Sequence, residues 1–261
     1  MRTLFVAGFL LGCKAPPSAP TELSELSRWL FREWPSDDPA RMADGLGALD
    51  AFLAEVDLEA PVIDRSWATA PLEEEDVAGL ERPDRDVAAL VGVSVAGASA
   101  WPIEDHAALQ TESDQTVTEP SASRYERTVL EGARDCFVDG ACSLETRNDG
   151  RRENLLMAVD FVLWKNMCWF DIGIDGDRRA IAARSWFKEP FEGDGGDTTL
   201  WQSYAVDIWL EQPDGGVRRY QALWSESELA YEASDELIQG TLKLGTDDIF
   251  RAADRAIAAT R

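Results

Sequence analysis

The chain has 261 residues, with 49 acidic against 25 basic side chains and a single histidine, His106, for a formal net charge of −24. Nucleic-acid binding rests on Lys and Arg neutralising phosphates, so this balance excludes a polyanionic partner. A hydrophobic fraction of 45% and a charged fraction of 28% exclude disorder throughout and supply enough apolar mass for one large core or two small ones.

Met1, Arg2 and Thr3 precede the apolar stretch from Leu4 to Gly12, and Cys13 follows. One positive charge, a short apolar run and a small residue before the break have the form of a secretion signal. The run is too short to span a bilayer, which takes about 20 apolar residues. Leu10-Leu11-Gly12-Cys13 resembles the lipobox of bacterial lipoproteins. The resemblance implies that residues 1–12 are a signal peptide and that the Cys13 thiol takes a diacylglycerol and becomes the new N-terminus. Lys14, rather than aspartate, after the lipidated position implies by the same resemblance a cell-envelope protein sorted to the outer membrane. Residues 13–20 are Pro-rich and read as a stiff tether. A body this acidic gains nothing from an anionic surface, so attachment falls to the acyl chains, at about 0.8 kcal/mol per buried methylene.

Residues 21–86 read as a helical segment and an acidic linker. A helix signal at Thr21 is followed by Leu23, Leu26, Leu30 and Trp34 on one face and stopped by Pro35. A second helix takes Asp38 as its cap and Pro39 in its first turn, with Met42, Leu46, Leu49, Leu53 and Val56 as its stripe. Together they suggest a helical hairpin. From 57 to 86, three prolines and the run Glu73-Glu74-Glu75-Asp76 suggest a linker with room for one short helix, whose acids form a solvated face.

Residues 87–261 read as an antiparallel α+β domain. Ala89 to Ser99 is β-like, and Pro102 opens a helix with Glu104 and Asp105 near its positive dipole end. Segments 124–135 and 142–148 pair around Cys136 and Cys142, which enclose Phe137-Val138-Asp139-Gly140-Ala141. This has the form of a three-residue hairpin loop with Gly140 at the left-handed position. In that register the two cysteines face each other with Cα atoms about 4.5 Å apart, which permits a disulfide. Cys168 is left over and reads as a small buried hydrophobe. The stretch from Asn154 to Ile174 is apolar on both parities, and its β-branched and aromatic content favours strand. Strands follow at Arg179 to Phe187, Thr198 to Leu210 and Val217 to Ser225, the last two joined by the turn Pro213-Asp214-Gly215-Gly216. Ser234 then caps a helix with Ile238, Leu242, Ile249, Ala253 and Ile257 on one face, weakened at Gly240 and Gly245 by about 1 kcal/mol each, so a bend or break is expected there.

A strand, a helix, an antiparallel meander and a closing amphipathic helix, from about Val91 to Ala259, resemble the START-like helix-grip superfamily. The resemblance implies a sheet wrapped on the C-terminal helix with an apolar cavity between them. Another antiparallel α+β sandwich fits the same order of elements.

Six of the ten tryptophans fall between Trp164 and Trp224. Trp201 and Trp209 share one parity of their strand and Tyr204 takes the other, so both faces must be covered or one must meet a ligand. The candidate ligand-binding set is Trp164, Trp186, Trp201, Tyr204, Trp209 and Trp224, as a thick aromatic core or as the lining of an apolar cavity or sugar platform. Asp194-Gly195-Gly196-Asp197 with Glu192, and separately Asp171, Asp175 and Asp177, offer oxygen atoms, yet neither follows a calcium-loop pattern and turn formation explains both. One histidine excludes a His-ligated zinc site, and Gly92-Val93-Ser94-Val95-Ala96 lacks the closing glycine of a nucleophile elbow. No cofactor, metal or catalytic residue is indicated. The chain reads as a lipid-anchored, mainly non-catalytic envelope lipoprotein acting as a binding module for an apolar small molecule or lipid. The alternatives are a scaffold lipoprotein binding another envelope protein and an enzyme with carboxylate chemistry in a START-like cavity.

Overall fold

A computed structural model describes residues 18–34, 38–153, 158–173, 177–229 and 233–261. The expected signal segment 1–12, Cys13, most of the expected tether, Pro35, Asp175 and the start of the apolar stretch at Asn154 lie outside them. The fold is α+β, with an N-terminal helical segment, an antiparallel sheet of nine strands and a C-terminal helix.

Helix α1, Leu23–Arg32, is capped by the Glu22 carboxylate, which accepts from the Ser24 and Glu25 amides, and not by Thr21. Helix α2, Pro39–Leu53, starts at the Asp38 cap and buries Met42, Leu46, Leu49 and Leu53 along its stripe, as its spacing requires. The segment after them is more structured than a linker. It makes a 3-10 turn, Val62–Arg65, then strand β1, Ser66–Thr69, and a second turn, Val87–Ala89. The acidic run is not a uniformly solvated face. Glu73, Glu74 and Glu75 are exposed but ion-paired to Arg28, Arg82 and Arg32, while the Asp76 side chain is fully buried against the Arg28 guanidinium at 2.7 Å. Arg28 on the helix draws the last acid of the run inward, where an unpaired charge would be costly.

The sheet continues with β2, Val91–Ser99; β3, Ala122–Glu131; β4, Leu144–Glu153; β5, Ala158–Ile172; β6, Arg178–Trp186; β7, Phe191–Glu192; β8, Thr199–Glu211; and β9, Val217–Glu228. Helix α3, Ile103–Gln110, follows β2, α4, Arg134–Val138, lies between β3 and β4, and α5, Asp235–Thr260, closes the chain. The strand order is β1-β2-β9-β8-β6-β5-β4-β3, with β7 on β8. Strand β5 lies within the ambiguous apolar stretch, and Gly215 at φ 89° turns β8 into β9.

Both sheet faces are covered. On one, α1 and α2 pack on Ala180 and Ala182 of β6, Tyr204, Val206 and Ile208 of β8, and Tyr220 and Trp224 of β9. Phe31 meets Tyr204 and Trp224 edge to face at 5.8 Å, and Ser27 shares a 2.5 Å hydrogen bond with the Tyr220 hydroxyl. Gly92 on β2 is required here, because a Cβ would lie 2.7 Å from the Trp224 ring. On the other face, α3 and α4 pack on Met167, Ile181, Ala183 and Trp209, and α5 crosses β2, with Phe250 against Gly97.

Helix α5 does not break at its glycines; it runs as one helix from Asp235 to Thr260. Its buried face starts only at Thr246, with Asp247, Phe250, Ala253 and Ile257, while Leu237 and Leu244 of the first turns are exposed. A Cβ at Gly240 or Gly245 would touch nothing within 4 Å. Gly245→Ala is therefore expected to raise the unfolding free energy by about 1 kcal/mol, as helix propensity alone would; urea denaturation showing no gain would count against a continuous helix.

Candidate functional site

Among the described residues one hollow lies on each face of the sheet, and a third, of about 540 Å³, lies along the outer side of β3 among polar and charged residues such as Asp114, Arg124 and Glu126. Between the sheet and α5 lies a chamber of about 60 Å³. The helix-grip resemblance implies an apolar space here, and the structure corrects this: Trp209, Phe250 and Ala253 share the walls with as much polar and charged surface. Lys165 on β5 donates to Asp207 on β8 at 2.7 Å, and the Gln221 amide of β9 donates to the same carboxylate. Arg127 of β3 donates from Nε to Asn148 Oδ1 at 2.6 Å. These residues alternate with apolar ones on β5, β8 and β9, so their parity sends them to this side. Burial pushes the Lys165 ammonium down, and the partly buried Glu119 carboxyl is raised for the same reason.

The chamber ends where α5 is fastened. Arg219 of β9 holds Asp254 at 2.9 Å and donates to the carbonyls of Ala98 and Phe250, and Arg65 holds Asp247 at 2.5 Å and the Ala96 carbonyl. His106, 1% exposed, faces Ser99 Oγ at 3.1 Å; burial, with the nearby Arg219 charge, pushes its imidazole down to about 3. A chamber this size holds a water or two. Its charges mainly satisfy one another and fix the helix.

The second hollow is larger. A groove of about 620 Å³ runs between the start of α2 and strands β4 and β5, on the face covered by the two N-terminal helices. Trp34 lies edge to face on Phe170 at 5.6 Å on one side, Pro39, Ala40 and Ala43 form another, and Cys168 contributes apolar floor; Leu144 and Met167 border the groove, but their side chains are buried on the opposite face. Asn166, Glu145, Glu131 and Asp171 supply its polar groups. The Cys168 thiol is half-buried, and burial pushes it up, away from the reactive thiolate.

The aromatic set read from sequence is dispersed by the fold. Trp186, Tyr204 and Trp224 are buried in the core under α1, with the Trp186 and Trp224 indoles donating to the carbonyls of Glu81 and Ala70. Trp164 packs at that core's margin beneath the Lys188 ammonium, and Trp201 lies beneath Arg85. Trp209 alone of the six lines a hollow, the chamber. The shared parity of Trp201 and Trp209 does not hold, because the pairing shifts between Leu200 and Gln202. The tryptophan whose ring reaches the groove is Trp34; Trp169 borders it, but its indole packs beside Phe137 on the opposite face and donates to the Phe137 carbonyl.

Cys136 and Cys142 are joined, with Cα atoms 5.6 Å apart, but not across a three-residue hairpin loop. The segment folds as α4, and Gly140, at φ 75°, ends that helix instead of closing a hairpin. Phe137, fully buried beside Met167 and Ile181, anchors the turn. The left-handed glycine serves either motif, so spacing alone could not separate them. Asp194 is taken by Arg151 at 2.5 Å, and among the described residues no group of three or more His, Cys, Asp or Glu is arranged to hold a metal. Sequence reading passed over Lys165, Arg184 and Asp207, though each is a charge inside an otherwise apolar strand, which was the available signal.

No family model and no curated protein matches the chain. Among solved structures, human StAR-related lipid transfer protein 5 aligns over 85% of this chain and 97% of its own, at 8% identity and a TM-score of 0.47. A protein from Thermus thermophilus aligns over 65% and 98%, at 15% identity and a TM-score of 0.41. The Zhui aromatase/cyclase of a Streptomyces species aligns over 66% and 93%, at 11% identity and a TM-score of 0.38. These are likenesses of fold; the hollows are described from this chain's own residues.

A neutral His106 sets a pH dependence. Its folded pKa of about 3 lies below the ordinary 6.5, so the unfolded chain takes up the proton first and stability falls as pH drops below 6.5. Between pH 6 and 5 this adds a slope approaching 1.4 kcal/mol per unit, and His106→Gln is expected to remove it. Equal slopes for the two proteins in urea titrations would mean that the native imidazole already reaches water.

Proposed function

We propose that this protein is a lipid-anchored envelope lipoprotein whose folded body binds an apolar small molecule in the groove between α2 and strands β4 and β5. The observation that carries the binding is the groove itself, about 620 Å³ with tryptophan, phenylalanine, proline, alanine and cysteine on its walls. Ligand pockets have this size and this mixture of apolar wall with a few polar groups. The chamber under α5 is a tenth as large and carries buried charges, Lys165 and Asp207 among them, so it is the poorer host for an apolar molecule. The anchor rests on Leu10-Leu11-Gly12-Cys13 and is carried by acyl chains.

Cys168 offers a readout inside the groove. The neutral dye N-phenyl-1-naphthylamine is expected to fluoresce on binding and to slow maleimide labelling of Cys168, mapped at that peptide. Ala43→Trp fills the groove from the half-exposed side of α2 and is expected to abolish both effects while leaving the near-ultraviolet circular dichroism of the core rings in place. Dye binding indifferent to Ala43→Trp would place the ligand elsewhere. For the anchor, Cys13→Ser is expected to move the protein from the membrane fraction to the soluble fraction; a protein that sediments unchanged would overturn lipidation at this residue.

A further inference from the structure

One side of the groove is lined by carboxylates that no cation answers. Glu131 of β3 stands directly opposite Glu145 of β4, and Glu145 directly opposite Asn166 of β5. Directly paired residues project to the same face with Cβ atoms about 5 Å apart, and all three line the groove. Among the described residues neither glutamate side chain takes part in an ion pair or a hydrogen bond, and no lysine, arginine or histidine lines the groove. The Asn166 Oδ1 atom is buried and has no donor. Arg184, opposite Asn166 on β6, lies over the rings of Phe31 and Trp186 and makes no bond to that oxygen. The groove is thus offered a row of three acceptors.

A bulge creates this row. Val129 pairs with Thr146, and an unbroken ladder would next set Leu130 against Glu145; the register shifts there, and Glu131 takes the place instead. The shift leaves Leu130 44% exposed and sets two like charges face to face. Both are unfavourable for the sheet by itself, and bulges that re-aim a side chain in this way occur beside binding sites. The aromatic side of the groove has an orphan of its own. Trp34 is 4% exposed, and its indole Nε1 is buried with no acceptor among the described residues.

We propose that the groove takes an organic cation: a primary ammonium on an apolar body that carries an oxygen acceptor. The ammonium donates to Glu131, Glu145 and Asn166 Oδ1, its three donors matching the three acceptors. The body lies against Trp34 and Phe170, and its oxygen accepts from the Trp34 indole. A metal ion fits less well, since the row holds only two carboxylates and the rest of the wall is apolar. An uncharged molecule would leave the row unanswered, and an anion would be repelled by it. The inference rests on the groove being the binding site and names the class of molecule it takes.

Calorimetric titration of the full chain with four probes separates the two readings. Tyramine carries the ammonium and the oxygen, para-propylphenol has a methyl group in place of the ammonium, phloretate has a carboxylate there, and phenethylamine lacks the oxygen. Tyramine is expected to bind tightest, with para-propylphenol weaker by about 10-fold to 100-fold, the scale of one lost charged hydrogen bond, and phloretate weaker still. Glu145→Gln and Glu131→Gln are each expected to narrow the gap between tyramine and para-propylphenol by about 10-fold while leaving para-propylphenol itself unchanged. Trp34→Phe keeps a ring and is expected to erase the advantage of tyramine over phenethylamine. Neither glutamine variant is expected to lower the urea midpoint of the free protein, since each relieves a repelling pair. A lowered midpoint would show that the carboxylates serve the fold and would overturn the proposal. If para-propylphenol or phloretate binds as tightly as tyramine and neither glutamine variant matters, the cation is overturned and the apolar groove stands. If all four probes and the naphthylamine dye fail to bind, the groove reading fails and takes the cation with it.

Discussion

Everything else in the structure follows from strands that are apolar on both parities. In β6 and β8, nearly every residue from Ala180 to Trp186 and from Gln202 to Leu210 is buried. A sheet with such strands at its centre must be covered twice. The C-terminal helix with α3 and α4 covers one face. The other would be exposed, and α1 and α2 exist to cover it. The N-terminal helices thereby become part of the main core, sharing Phe31, Tyr204, Tyr220 and Trp224 with the sheet. The groove is a by-product of the same arrangement, since α2 does not extend over the ends of β4 and β5 and leaves a trough between helix and sheet.

The two covers are held by different physics. Under α1 and α2 the contact is mainly apolar, with Asp76 and Arg28 as a buried clasp at the rim. Under α5 it is largely ionic: Arg65 and Arg219 reach from the sheet side to Asp247 and Asp254, and the amphipathic stripe of the helix is short. Buried pairs of this kind contribute little net stability, but removing one partner strands the other, so they fix where the helix lies more than how tightly it is held. Lys165 and Asp207 extend this polar seam into the chamber.

Periodicity made most of the fold legible. The stripe of α2, its Asp38 and Pro39 start, the turn at Pro213 to Gly216, the Ser234 cap and the covering of both faces of β8 were all visible, because each depends on local chemistry. What was not legible depends on partners distant in sequence. Asp76 is buried only because Arg28 is nearby in space. Trp201 leaves the parity of Trp209 because of a bulge that no residue type announces. Gly140 fits a hairpin loop and a helix end equally well, and Phe137 finding a slot beside Met167 decided between them. The candidate site was less legible still. The tryptophans that drew attention are mostly core, while the groove is built from Trp34, Ala43, Asn166 and Cys168, residues brought together from the end of α1, from α2 and from β5.

The sheet has two open margins, and they differ in a way that bears on how the protein behaves in company. One is β1, four residues long. The other is β3, a ten-residue strand whose outer side is covered only around Glu126, and an edge of this kind is the usual place for a neighbouring chain to add on. Its sequence resists this. Arg124, Glu126 and Thr128 point outward, the pairing with β4 is interrupted near both ends, and Asp114 forms a bridge to Glu126 along the outer side. Copies of this protein crowded together at high local density would thus find no long, flat, uncharged ladder through which to zip into aggregates.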